Sequence, residues 1–384
     1  MFLEASTLFR EQRMEFAIDS LTLNVAHLCQ LQCAYCFASG GEYSYDEDTV
    51  PPLMDEATGR RAVDFFFEIA GPKHSVLRLL FFGGEPLINW DLIEILVLYS
   101  EEKAQAIGKR MQFSMTTNAM ALDAQRVTFI REHKISLLIS VDGDKELHSK
   151  LRPHKDSAVC SYEETRAAVA LLKEVRPELT GRATVTKYCT DPRILVSSLK
   201  DMGFTSYNLQ LVTGDKDAPW ALDTQDIRRF ASELGRMIVE GERITGITGS
   251  RISERSSCAP YKCNFSVRTL TVDALGRIYS CHRLLSQQDF YIGDVNSGLD
   301  YTKMQALANT VNANNMSGCK TCWAKNLCAG GCAAVNYLQG ASLSVPNSYD
   351  CILGYAIAEA SIERFLTELK AKPSAEAKLD ATLC

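Results

Sequence analysis

The sequence contains no uninterrupted apolar stretch long enough to span a bilayer, for which roughly twenty residues are needed. Its first residues, Met1-Phe2-Leu3-Glu4, show no basic region followed by an apolar run, so no signal peptide is read there. Positive charge is not in excess: 41 Lys and Arg against 47 Asp and Glu leave a net charge of −6. Such a balance gives no electrostatic footprint for nucleic acid and none for an anionic membrane surface. Internal repeats are also absent. A cytoplasmic protein is expected. With 384 residues, 46% hydrophobic and 23% charged, the chain can bury a sizeable core. It suits one large α/β domain with an appendage, or two domains.

What the chain has in abundance is cysteine. Fourteen cysteines in a reducing compartment are better explained by metal ligation than by disulfides. Three lie at 29–36, Cys160 and Cys189 stand in the middle, eight run from Cys258 to Cys351, and Cys384 ends the chain. Two metal-rich regions thus flank a metal-poor one. The first is Cys29-Gln30-Leu31-Gln32-Cys33-Ala34-Tyr35-Cys36, directly after an apolar run that reads as a strand. A closed structural site, zinc or a fully protein-held iron–sulfur cube, wants four ligands. Three close thiols without a local fourth point to a [4Fe–4S] cluster with one iron open to a substrate or cofactor. The alternative is a zinc knuckle or three unrelated buried cysteines.

From about residue 18 to about 240, strand-like and helix-like segments alternate. Strands are expected at 21–28, 76–82, 111–117, 135–141, 179–187 and 207–212. Helices are expected at 55–70, 91–107, 123–133, 162–174 and 191–202, with a further one at 223–242. Strands separated by helical crossovers make parallel βαβ units. A count of six predicts a partial (β/α)6 barrel rather than the full eightfold one, with an open doubly wound sheet as the alternative. Functional residues in such barrels gather at the strand C-termini. Here those ends carry the cysteines, Gly83-Gly84-Glu85-Pro86, Thr116-Thr117-Asn118, Ser140-Val141-Asp142-Gly143, and Arg182 with Thr184. Polar groups at one common end describe a single ligand-lined mouth.

The spacing Cys-x3-Cys-x2-Cys, with Tyr35 before the third Cys and Phe37 after it, resembles the signature of the radical S-adenosylmethionine (SAM) enzymes. The resemblance implies a TIM-like barrel in which SAM chelates the open iron and is cleaved to a hydrogen-abstracting 5′-deoxyadenosyl radical. It further implies SAM contacts from Tyr35, Phe37, Gly83, Gly84, Glu85, Thr116, Asn118, Ser140, Asp142 and Arg182. Physically, adjacent glycines let the backbone approach a ligand closely, and a carboxylate suits an ammonium. Arg182 resembles the residue that pairs with the SAM carboxylate. His148 and Arg152, in the spacing His-x3-Arg-Pro, resemble a pattern of the peptide-modifying branch and would line the substrate side.

A Gly/Thr/Ser-rich connection at 241–257 marks the expected domain boundary. The expected limits are 1–17 for a lead-in, 18–243 for the barrel, 244–365 for a second domain and 366–384 for a tail. The second domain holds Cys258, Cys263, Cys281, Cys319, Cys322, Cys328, Cys332 and Cys351. Eight ligands make two sets of four, the requirement of two cubane clusters with no open iron. Cys263-x12-Gly276-x4-Cys281, then Cys-x2-Cys-x5-Cys-x3-Cys and the distant Cys351, resembles the SPASM domain. Gly276 would serve a hairpin turn at 274–276. The resemblance implies Cys258, Cys263, Cys281 and Cys332 for auxiliary cluster I, and Cys319, Cys322, Cys328 and Cys351 for auxiliary cluster II. Two zinc sites of four cysteines each are the alternative. Cys160, Cys189 and Cys384 remain as free thiols.

The resemblance spans roughly residues 20–355 and implies a radical SAM/SPASM maturase of ribosomally made peptides. Sulfatase maturases carry an acid just after the cysteine equivalent to Cys281, where this chain has His282-Arg283-Leu284. Conversely, Cys36-Phe37-Ala38-x-x-Gly41-x-Tyr43 and Tyr279-Ser280-Cys281-His282-Arg283 resemble thioether-forming maturases. The expected activity is therefore an intrapeptide crosslink, with a thioether favoured and a carbon–carbon bond requiring the same first step. The alternative activity is formylglycine formation; the alternative class is a non-catalytic electron-transfer or zinc-binding protein. Expected cofactors are SAM and three [4Fe–4S] clusters. Expected partners are a precursor peptide and a flavodoxin- or ferredoxin-type electron donor. Some twenty residues precede the first strand, so a precursor-recognition domain is not expected. A leader would be held by a separate protein, by the barrel and SPASM surfaces directly, or not at all. No catalytic base is assigned; His282, beside a cluster ligand, is the candidate, with a structural role as its alternative.

Overall fold

Leu21, Leu23 and Val25 are fully buried on the first strand, β1 (Ser20–Ala26), and so are Thr22 and Asn24 between them. A strand buried on both faces belongs inside a sheet rather than at its edge. The structure is a computed structural model in which residues 16–43, 45, 50–71, 73–245, 261–263, 265–340 and 342–371 are described. Two units interleave along the sequence. The first comprises Met1–Arg182, Leu199–Thr205 and Asn264–Asn309; the second comprises Ala183–Ser198, Ser206–Cys263 and Thr310–Cys384.

In the first unit β1 pairs in parallel with β2 (Val76–Gly83), which continues through β3 (Arg110–Thr117) and β4 (Ser136–Ser140) to the start of β5 (Thr180–Val185). Helices Glu56–Ile69, Trp90–Ala106, Ala124–Glu132 and Ser161–Val175 separate these strands. Asp55 and Asp123 start two of them by accepting the backbone N–H of Thr58 and Arg126, the usual service of an aspartate N-cap. Strands and helices thus stand where the alternating pattern predicts, with ends differing by one or two residues. A short helix, Lys145–Leu151, was not expected; seven residues are too few to show a helical period.

The other side of β1 was not foreseen either. There β8 (Thr269–Val272) pairs in parallel with β1, and β9 (Arg277–Tyr279), β10 (Tyr291–Asp294) and β11 (Gly298–Leu299) follow antiparallel. The pin of this arrangement is Asp19. Its buried carboxylate accepts Arg78 Nη1 of β2 at 2.7 Å and pairs with Arg268 beside β8, while Arg268 O receives the Asp19 and Ser20 N–H groups. All five parallel strands from β1 to β5 therefore end on one edge of the sheet, and the loops that follow them meet there.

The second unit contains the end of β5, with β6 (Ser206–Leu211) and β7 (Ile244–Thr245). Val212 N–H donates to Val185 O at 3.0 Å. Helix Thr224–Val239 opens on a capping box formed by Asp223 and Asp226. The long helix Ser348–Ala371 packs on it, with Gly235 leaving room for Ala356 and Ala360. Among the described residues, no helix is long and apolar enough to cross a membrane.

The hairpin between β8 and β9 turns on Gly276, whose N–H donates to Asp273 O at 3.0 Å. Its φ is +83°, and a Cβ there would lie 2.8 Å from Val295 Cγ2. Gly276→Ala is expected to cost about 1–2 kcal/mol from the left-handed backbone and the crowding. Thermal denaturation should show a lowered midpoint, whereas Leu275→Ala, at the exposed tip of the same turn, should leave it in place.

Candidate metal and cofactor site

β1 ends at Ala26, and the loop from His27 onward carries the three thiols. The His27 imidazole fixes the start of that loop. Nδ1 lies 3.0 Å from Gly41 O, and the Asn24 amide donates to Nε2 at 2.9 Å, so the proton belongs on Nδ1. Burial lowers the His27 pKa and keeps the ring neutral. Further along, backbone bonds zip the loop to the segment after helix Lys145–Leu151. Gln32 N–H donates to Pro153 O, Ala34 N–H to Leu151 O, and Lys155 N–H to Gln30 O, all between 2.9 and 3.0 Å. Two sulfurs already receive backbone donors: Leu31 N–H to Cys29 Sγ at 3.4 Å and Gly40 N–H to Cys36 Sγ at 3.3 Å. Burial pushes the Cys29 thiol up to about 12 and the Cys33 thiol up to about 11. Such thiols stay protonated at neutral pH unless a metal displaces the proton.

The end of β2 lies against this loop. Gly84 N–H donates to Ala26 O and Glu85 N–H to Leu28 O, each at 2.8 Å. A Cβ at Gly84 would stand 2.3 Å from Leu28 O and 2.7 Å from Gly40 O, so no larger residue fits. Here the glycine pair is required by backbone packed on backbone. The Glu85 carboxylate then reaches β3: Oε1 accepts Thr117 Oγ1 at 2.6 Å and Leu87 N–H at 3.1 Å, and Oε2 accepts Asn118 N–H at 2.8 Å. Burial raises its pKa to about 7, against the lowering effect of these three donors. Asn118 Oδ1 accepts the Gln30 side-chain amide at 3.2 Å, and its own amide nitrogen lies 4.0 Å from Cys29 Sγ. Thr116 stands one residue before Thr117 on β3, half-buried and in register with Leu138.

After β4, Asp142 is fully buried. It accepts Arg152 Nε at 2.8 Å and Nη2 at 3.3 Å, and the Tyr35 hydroxyl donates to it as well. Arg152 lies over the Tyr35 ring, 5.5 Å from its centroid, with Nη1 4.0 Å from Cys33 Sγ. Asp142 N–H donates to His148 Nδ1 at 3.3 Å, while His148 Nε2 is buried without a partner. Burial holds the His148 pKa down to about 4. His148 and Arg152, expected on the substrate side, are both buried; both bond to Asp142, His148 also packs on Tyr162, and Arg152 reaches toward Cys33. Ser140, at the end of β4, is the register partner of Arg182 on β5. Arg182 forms no ion pair among the described residues, and burial, then the neighbouring Arg152 and Arg283, lower its pKa to about 10. Phe37 packs near Phe82 and Tyr43, and Arg283 lies over its ring at 5.1 Å. The His282 ring sits 4.4 Å from that of Phe82, and burial, Arg283 and Arg182 depress its pKa to about 3.

In the second unit Cys319, Cys322, Cys328 and Cys351 line one cavity, together with Asp350 and Tyr355. Burial and the neighbouring thiols raise the pKa of Cys319, and that of Cys351 to about 11. No group of three or more His, Cys, Asp or Glu among the described residues is gathered tightly enough for a single metal ion. Thiols that rim a void suit a cluster, whose ligands stand farther apart than the four of a zinc tetrahedron. Cys263 is exposed and Cys281 and Cys332 are half-buried; Cys258 lies outside the described residues.

The sequence pattern of the radical SAM superfamily matches residues 23–191. An uncharacterized protein of Methanocaldococcus jannaschii is 32% identical over 220 residues, covering 56% of this chain and 71% of that protein. The chain belongs to the radical SAM superfamily. The cysteine-type anaerobic sulfatase-maturating enzyme of Clostridium perfringens is 23% identical over 339 residues, 79% of this chain and 85% of that one. Among solved structures, native anSMEcpe with bound AdoMet and a peptide superposes with a TM-score of 0.75 at 21% identity, over 92% of this chain and 99% of that one. SuiB of Streptococcus suis bound to its precursor peptide SuiA gives 0.63 at 17% identity, over 90% and 79%. The chain is an enzyme with the fold of these radical SAM proteins.

A radical SAM enzyme needs a cluster and SAM, and the residues at the strand ends fit both. Three thiols share one loop, Gln30 Oε1 on that loop is buried without a hydrogen-bond partner among the described residues, and the buried cation of Arg182 lies near them beside Arg152 and Tyr35. Thr117, Gln30, Arg283 and Tyr43 stand in the sequence motifs without a site role of their own. Each adjoins a motif residue, but its part depends on contacts between distant loops that a linear pattern does not display.

Two outcomes are expected from this geometry. Gly84→Ala must push the cysteine loop off the end of β2, so iron bound after anaerobic reconstitution should fall severalfold while far-UV circular dichroism is kept. Glu85 has a folded pKa of about 7 against an ordinary value of 4.5. A raised pKa adds stability below 4.5 that is lost as pH rises through about 7, on the order of 3 kcal/mol across that window. Thermal denaturation of the cluster-free protein should show this fall in the wild type and a flatter profile in Glu85→Gln.

Proposed function

We propose that the chain is a SPASM-type maturase that installs a crosslink in a precursor peptide, with SAM and three [4Fe–4S] clusters. Cys29, Cys33 and Cys36 would hold the first cluster. Cys258, Cys263, Cys281 and Cys332 would hold the second, and Cys319, Cys322, Cys328 and Cys351 the third. Residues 18–243 would form the partial barrel and 244–365 the SPASM domain. The observation that carries the reading is the meeting of three thiols with Glu85, Asn118 and Arg182 at one edge of a parallel sheet.

When bound, the open-iron cluster and SAM supply a 5′-deoxyadenosyl radical able to take hydrogen from an unactivated carbon. The chain's own residues bind and orient. Glu85, held by three donors, would receive the SAM ammonium. Arg182, a cation without an ion-pair partner among the described residues, would suit the SAM carboxylate. Asp142, Arg152 and Tyr35 hold the cysteine loop rigid from behind, and His148 acts with them through its bond to the Asp142 backbone. Beside Cys281 stand His282, a neutral imidazole packed on Phe82, and Arg283. Those two neighbours offer no carboxylate to take a proton, which favours a crosslink over formylglycine. The match to 85% of a cysteine-type sulfatase-maturating enzyme favours the second reading, formylglycine formation.

Anaerobic reconstitution should give about twelve irons per chain. With reductant and SAM, 5′-deoxyadenosine should form, and Cys33→Ala should abolish it. Absence of 5′-deoxyadenosine from iron-replete protein would overturn the reading. Mass spectrometry of a treated Cys-containing peptide should show two residues joined with loss of hydrogen; an aldehyde instead would select formylglycine. Arg182→Ala should weaken SAM binding about ten- to a hundredfold, the worth of a charged hydrogen-bonded partner, as read by equilibrium dialysis.

A further inference from the structure

Tyr43 is the residue that the site leaves without a role. Its hydroxyl is buried and has no hydrogen-bond partner, a costly state for a phenol in a packed interior. Its backbone is costly too. Tyr43 stands at φ +53°, in the left-handed region that bulky residues avoid, and persists there only because its surroundings insist. Those surroundings are specific. Tyr43 N–H donates to Ala38 O at 3.0 Å, and Ser286 Oγ donates to Tyr43 O at 2.5 Å. The ring lies edge-on to Phe37 at 6.0 Å and to His27 at 5.8 Å, in a cluster with Ala38, Tyr279 and Leu285 against which Cys36 packs. Of the three cysteines of the loop, it is Cys36 that packs against this cluster.

A buried donor, held beside the Cys36 thiol and without a partner among the described residues, calls for an acceptor that those residues do not supply. A cluster offers one, in its ligand sulfurs and bridging sulfides. We propose that the Tyr43 hydroxyl donates a hydrogen bond to a sulfur of the cluster held by Cys29, Cys33 and Cys36, on its Cys36 side, and thereby sets the cluster's reduction potential. This rests on the reading of those three cysteines as a [4Fe–4S] site. Tyr43 is a positioning residue, adding a hydroxyl to the backbone donors from Leu31 and Gly40. Hydrogen bonds to cluster sulfur withdraw electron density and favour the reduced, more negative form, so each donor raises the potential.

The test is an EPR-monitored redox titration of the fully reconstituted enzyme, following the [4Fe–4S]+ signal that changes when SAM is added. Tyr43→Phe keeps the ring packing and removes only the donor. The midpoint of that signal should move to a more negative potential, while iron and sulfide content, circular dichroism and melting temperature stay as in the wild type. Replacing Tyr43 by 3-fluorotyrosine, which keeps the hydroxyl and makes it a stronger donor, should move the midpoint the other way. An unchanged midpoint in both proteins, or a shift confined to signals that ignore SAM, overturns the proposal. A wild type that binds iron but shows no SAM-responsive signal overturns the cluster reading first, and the proposal with it.

Discussion

One buried carboxylate holds the site together. Glu85 leaves the end of β2, takes a hydroxyl and two backbone N–H groups as donors, and so locks the end of β3 to the turn that follows β2. Its own backbone N–H is bonded to Leu28 in the cysteine loop. Three consecutive strand ends therefore share one residue. The arrangement works only because Gly84 lets the two backbones touch. Burial raises the Glu85 pKa despite its donors. A cation brought beside this carboxylate would favour its ionised form, so the proposed SAM ammonium would act on the same residue that joins these strand ends.

A second carboxylate does the corresponding work behind the loop. Asp142 collects Arg152 and the Tyr35 hydroxyl, and the backbone zipper from Leu151 to Lys155 fixes the positions of Gln30, Gln32 and Ala34. With His27 bonded to Gly41 at the front, the thiol-bearing loop is clamped at both ends and along its length. Three thiols must stand at fixed positions for a cluster to form without paying loop-ordering entropy each time. The many contacts of this loop with distant strands supply that order.

Much of this was legible in the sequence, for identifiable reasons. Buried parallel strands advertise themselves as apolar runs, and the six from β1 to β6 were placed from that signal alone. Gly276 announced its hairpin because a tight turn needs a residue free to adopt positive φ. What stayed hidden was non-local. Nothing in Thr269–Val272 says that its neighbour is β1; the pairing depends on Asp19 joining Arg78 and Arg268 from far apart in the chain. The resemblance suggested that the glycine pair and Glu85 meet a ligand, whereas their first duty in the fold is to each other and to β3. His148 and Arg152, which the resemblance put on the substrate side, are buried in the structure and bonded to Asp142. Cys319, Cys322, Cys328 and Cys351, grouped by resemblance, line a single cavity although Cys332 falls between them in the chain.

The central claim is that the edge formed by Cys29, Cys33, Cys36, Glu85 and Arg182 binds SAM on an open iron. The most direct measurement is electron–nuclear double resonance on the reduced, reconstituted enzyme. The SAM would carry 15N in its amino group and 17O in its carboxylate. Coupling of both labels to the cluster spin in the wild type, and its loss in Cys33→Ala, is the expected result. A reduced cluster that shows neither coupling under saturating SAM contradicts the claim.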